Sequence, residues 1–167
     1  MKKIILLFSL VLIMISFYGC PYESKVPISE ATVKISNDFL GEWNYKDTKT
    51  KYIISKEDDF HMRIKSVPAD TISKDSSEYI AHISKIKDYS FLNITKVAKE
   101  NSFFSSGVGT YYLYRIIKSG SSEFAIKEVT NNIKEKFDTP KDLYGYIEKY
   151  MDLSFFYGTE ETYVKIK

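Results

Sequence analysis

From Gly41 onward, apolar and polar residues alternate in short runs broken by turn residues, a period of two that predicts strands rather than helices. Strands are expected at Glu42–Lys46 and Lys51–Lys56, the first turning through Asp47-Thr48-Lys49 and the second through Glu57-Asp58-Asp59. Phe60–Lys65 alternates cleanly, with Phe60, Met62 and Ile64 facing one way and His61, Arg63 and Lys65 the other. Glu78–Lys85 and Tyr89–Lys96, separated by Lys87-Asp88, should pair as a hairpin. Thr110–Lys118 carries Tyr112, Tyr114 and Ile116 on one face and Tyr111, Leu113 and Ile117 on the other, so it should be covered on both sides. Ser119-Gly120-Ser121 leads to Ser122–Val129, and a last strand is expected at Glu161–Lys167.

One helix is signalled. Thr139 can cap it, Pro140 suits its first position, Asp142 favours its first turn, and Leu143, Ile147 and Met151 recur every four residues. That stripe should lie against the sheet. Gly145 weakens the helix by about 1 kcal/mol relative to Ala. Lys99–Gly109 reads as a long loop in which Phe103 and Phe104 form an apolar anchor.

The first twenty residues follow a different pattern. Lys2 and Lys3 open the chain, Ile4–Phe17 is almost wholly apolar, and Gly19 precedes Cys20, the sole cysteine. The run falls short of the ~20 residues a membrane-spanning helix needs and matches the apolar centre of an export signal. Residues 1–19 are therefore set apart from the fold, leaving 148 of the 167 residues, enough for one domain. Pro21 to Val26 reads as a tether or a loose terminus. Without the two leader lysines, 22 of the 24 basic residues remain against 22 acidic ones. A neutral body lacks the positive field that nucleic acid requires.

Gly19-Cys20 behind a basic start and an apolar run resembles a bacterial lipoprotein signal, although Phe17 and Tyr18 stand where that family has Leu and a small residue. The resemblance implies that the Cys20 thiol receives a diacylglyceryl group, that the signal is cut, and that the new amino terminus is acylated, with palmitate a typical chain. Two or more acyl chains anchor stably where one is marginal. The resemblance further implies an address in the cell envelope, at the outer membrane of a Gram-negative bacterium. The pattern is also similar to small envelope lipoproteins of the Bacteroidetes type, a likeness that carries no activity with it.

Gly41-Glu42-Trp43 stands before the first strand and holds the only tryptophan. Gly-x-Trp at that place, followed by antiparallel strands and a late helix, resembles the lipocalin or calycin barrels. The resemblance implies a mainly β fold, an antiparallel up-and-down barrel of about eight strands with one C-terminal α-helix. It further implies that Trp43 packs across the closed end against a late Arg or Lys, here Arg115 or Lys127. Seven strands precede the helix and one follows it, whereas lipocalins place eight before, and Asn131–Phe137 could supply another. The division expected is a signal at 1–19, a lipidated tether and lead-in at 20–40, and one barrel domain at 41–167.

No catalytic motif stands out, and a non-catalytic protein without cofactor or metal is expected. A zinc site would require His61, His82 and a carboxylate to converge. The first functional expectation is a barrel holding a small apolar or amphipathic molecule, lined by Tyr79, Ile83, Leu92, Tyr112, Tyr114 and Phe124, which could equally be plain core. The second is a solid barrel that binds an envelope protein through the Phe103-Phe104 loop and Phe155-Phe156-Tyr157. An internal cavity above ~300 Å³ favours the first, and a filled interior with an outer aromatic patch favours the second.

Overall fold

From Gly41 onward each strand pairs antiparallel with the one before it in the chain, through connections that run from two residues to the helix-bearing stretch 130–156. The computed structural model describes residues 20–46, 48, 50–68, 76–98 and 109–166, so residues 1–19, expected as a leader, and Phe103-Phe104, expected in a loop, lie outside the described residues. The strands are β1 (Glu23–Ser24), β2 (Gly41–Tyr45), β3 (Lys51–Lys56), β4 (His61–Val67), β5 (Ser77–Ile86), β6 (Tyr89–Lys96), β7 (Tyr111–Ser119), β8 (Glu123–Val129) and β9 (Tyr157–Lys165). One α-helix, α1 (Pro140–Tyr150), separates β8 from β9. Strands β2 to β9 close on themselves because β9 pairs with both β8 and β2. The architecture is a closed eight-stranded antiparallel barrel with one extra strand and a single C-terminal helix.

Three expectations change. Asn131–Phe137 forms a turn and irregular chain, since β9 already closes the barrel. Strand β9 starts at Tyr157 rather than Glu161 and takes Gly158 into its first turn of pleat. A register shift between Ile116 and Lys118 breaks the alternation of β7, leaving Ile117 exposed.

A barrel sorts the two faces of each strand into an inside and an outside. Inside, Trp43, Ile54, Met62, Leu92, Phe124 and Ile126 belong to one apolar cluster. Outside, Ile86, Phe91, Leu113 and Val129 form a second cluster with Leu143, Ile147 and Met151 of α1. The helix is capped as its sequence dictates, the Thr139 hydroxyl accepting from the Asp142 N–H at 3.2 Å.

The segment expected as a tether is built into this outer cluster. Tyr22 is 1% exposed, its N–H donates to the Val129 carbonyl at 2.9 Å, and its hydroxyl donates to the Glu135 carbonyl at 3.0 Å. Glu23 and Ser24 pair with Tyr112 and Tyr111. Further along, the Ile28 N–H donates to Asn93 Oδ1 at 2.7 Å, Asn93 Nδ2 donates to Ser84 Oγ at 2.9 Å, and Ser29 Oγ donates to Ser84 Oγ at 2.7 Å. A buried aromatic and a hydrogen-bonded polar network thus hold residues 21–29 against the barrel, so Pro21 to Val26 is packed chain rather than a loose tether.

Candidate functional site: a cavity inside the barrel

The 3₁₀ turn Asn37–Phe39 precedes β2 at the end of the barrel where the β3–β4 hairpin also turns, and the Ile35 N–H donates to the Asp59 carbonyl there at 3.0 Å. Gly41 has φ 129°, a conformation open mainly to glycine, and so carries the chain from that turn into β2. Two residues on, Trp43 is fully buried, its Nε1–H donating to the Phe39 carbonyl at 2.8 Å and its ring standing edge-on to Phe124 at 4.7 Å. The cation over its ring is Lys165 of β9, at 5.1 Å. Neither Arg115 nor Lys127 reaches it, because both occupy outward-facing positions of their strands. Arg115 lies over Tyr89 at 3.9 Å and donates to the Met151 carbonyl, and Lys127 Nζ stands 3.6 Å from the Glu160 carboxylate.

Beyond this floor the interior is not filled. A cavity of about 500 Å³ runs between the strands. Ile54, Met62, Leu92, Ile94, Phe124 and Ile126 give it apolar walls. Tyr52, Tyr79, Tyr112, Tyr114 and Tyr163 add tyrosine rings, and Lys96, Glu128 and Glu161 add charge. Of the residues expected to line a cavity, Tyr79, Leu92, Tyr112, Tyr114 and Phe124 do so, while Ile83 is buried in the interior cluster away from the cavity wall.

The two glutamates and Tyr163 escaped the sequence expectation, yet alternation reaches them. Glu128 shares the face of Phe124 and Ile126, and Glu161 shares that of Tyr163. Tyr114 donates to Glu128 at 3.1 Å, and Tyr163 donates to Glu161 at 2.7 Å. Burial pushes the Glu128 carboxyl above its ordinary value, the Tyr114 hydrogen bond opposing and the Glu161 charge adding to the rise. Burial and the same carboxylates hold the Tyr114 and Tyr163 hydroxyls firmly protonated. The cavity is thus a greasy pouch with carboxylates fixed by hydroxyl donors on one wall.

The histidines face outward. His61 and His82 are cross-strand neighbours with ring centroids 5.7 Å apart, but His61 Nδ1 is engaged by Asp58 at 2.8 Å and His82 Nε2 by the Ser29 carbonyl at 2.9 Å. Burial lowers the His82 pKa and favours the neutral ring. Among the described residues no group of three or more His, Cys, Asp or Glu could hold a metal. No family model, curated protein or solved structure matches the chain. The aromatic trio at the entry to β9 divides: Phe155 is 59% exposed, Phe156 is buried under α1, and Tyr157 is half-buried with its hydroxyl on the Met151 carbonyl.

Proposed function

We propose that this chain is a lipid-anchored, non-catalytic protein of the cell envelope whose barrel holds one small amphipathic molecule. The single observation that carries the reading is the cavity of about 500 Å³, which lies within the range of small-molecule sites. Its lining favours a ligand with an apolar body against Leu92, Ile94 and Ile126 and a polar group that donates hydrogen bonds to, or carries positive charge toward, Glu128 and Glu161. Tyrosine rings nearby suit the same polar group through their faces. The cavity also favours this reading over a solid barrel that acts only through its outer surface. The anchor rests on the leader pattern and on Cys20, whose thiol is free and whose residue is exposed.

The test is titration of the purified full chain with N-phenyl-1-naphthylamine, a neutral apolar fluorophore. Saturable one-to-one binding is expected in the parent, with affinity at least tenfold weaker in Ile94→Trp, which places an indole in the cavity. Equal binding by both proteins, or none by the parent, overturns the ligand-binding reading. Replacing Cys20 by Ser should abolish palmitate labelling and release the protein from membranes, and unchanged sedimentation of that variant overturns the anchor.

A further inference from the structure

Residues 1–19 join the described chain at Cys20, so an apolar group enters there whether the leader stays in place or acyl chains replace it. No slack separates that point from the barrel. The Cys20 carbonyl accepts from the Asn131 N–H at 2.8 Å, Pro21 forms a bridge with Thr130, and Tyr22 is buried. The turn at Thr130–Asn132 also holds the chain just before β9, since Asn132 Nδ2 donates to the Phe155 carbonyl at 2.7 Å and the Thr130 N–H donates to the Phe156 carbonyl. Cys20 and Phe155 are therefore tied to one turn.

Phe155 is 59% exposed and Leu153 40%, side chains that gain by leaving water. Pro21 itself lines the cavity, as does Glu128, so Cys20 stands beside the end of the barrel at which these two residues border the cavity. Resting on the anchor proposed above, we propose that this end lies directly on the bilayer, with Phe155 and Leu153 inserted at the lipid interface and the cavity opening toward it. The occupant of the face is a lipid surface. Membrane proteins place amphipathic and aromatic groups at this depth, and an anchor of zero length leaves the body few other orientations. The arrangement lets an amphipathic molecule pass between the bilayer and the cavity with little exposure to water.

The experiment uses the full chain, purified in detergent and returned to phosphatidylcholine vesicles whose acyl chains carry bromine, which quenches tryptophan at short range. Phe155→Trp reports on the proposed contact, Ile166→Trp reports on the opposite end of the barrel, and the parent supplies the Trp43 background. Expected are flotation of all three proteins with the vesicles, loss of more than half of the added signal in Phe155→Trp, and little loss in Ile166→Trp. Flotation without quenching of Phe155→Trp, or stronger quenching of Ile166→Trp, overturns the orientation and leaves the anchor standing. Failure of the parent to float removes the anchor and the orientation together. Should Phe155→Trp fold poorly, Leu153→Trp on the same exposed face carries the same readout.

Discussion

Strand β6 feeds two apolar compartments that meet opposite fates. Phe91 points outward into the cluster beneath α1, where Leu143, Ile147, Met151, Tyr22 and Ile28 close around it. Leu92, the next residue, points inward and borders open space. On the outer side Asn93 joins Ile28 to Ser84 in a hydrogen-bonded network. On the inner side Glu128 and Glu161 meet tyrosine hydroxyls and face the void. Eight strands can be filled completely by larger side chains, so open space inside marks the compartment where packing has been given up. The outer compartment stabilises the fold, and the inner one keeps the open space on which the proposed ligand binding rests.

The largest expected effect lies in the filled compartment. Phe91→Ala leaves a hole beneath α1 and should cost about 3–5 kcal/mol in denaturant unfolding. Asn93→Ala strands the Ile28 N–H and should cost about 1–3 kcal/mol by the same measurement, the desolvation penalty of one buried donor. Gly145 sits on the exposed face of α1 where an added Cβ meets nothing within 4 Å, so Gly145→Ala should stabilise by about 1 kcal/mol. Enlargement separates the compartments: Leu113→Phe, on the outer side, should cost about 1–3 kcal/mol, while Ile94→Phe, beside the cavity, should cost less than about 1 kcal/mol. Equal costs for that pair would mean that both compartments are equally full.

The smallest effect is on pH dependence. Because burial raises the Glu128 pKa in the folded chain, the folded form binds more protons than the unfolded one above the ordinary carboxyl value. Its contribution to stability therefore falls as pH rises from that value through the raised one. Glu128→Gln should remove this fall, so that the variant gains on the parent between pH 4 and pH 7 in thermal melts. A gain confined to lower pH would show that Glu128 is not held above its ordinary value.

How much of this was legible depended on whether local pattern decides the outcome. Alternation groups Met62 with Ile64, and Tyr112 with Tyr114 and Ile116, on faces that turn inward, and Thr139-Pro140 marks the start of α1. Alternation could not foresee the shift after Ile116, which turns Ile117 outward. Tyr22 defeated the tether reading because a lone aromatic among polar residues shows its burial only when α1 and β8 supply the pocket. Lys165 as the partner of Trp43 depends on β2 lying beside β9, a long-range pairing with no local mark. Tyr79, Leu92, Tyr112, Tyr114 and Phe124 stand in the cavity wall, but whether such side chains meet or leave space is a property of all eight strands together.

Native mass spectrometry of the full chain, purified from its native host in mild detergent, tests the ligand cavity most directly. The parent should carry one reproducible extra mass that Ile94→Trp lacks while both retain the same melting behaviour. A parent that emerges bare, with a second protein following it through purification, would contradict the cavity's role and assign the function to the outer surface.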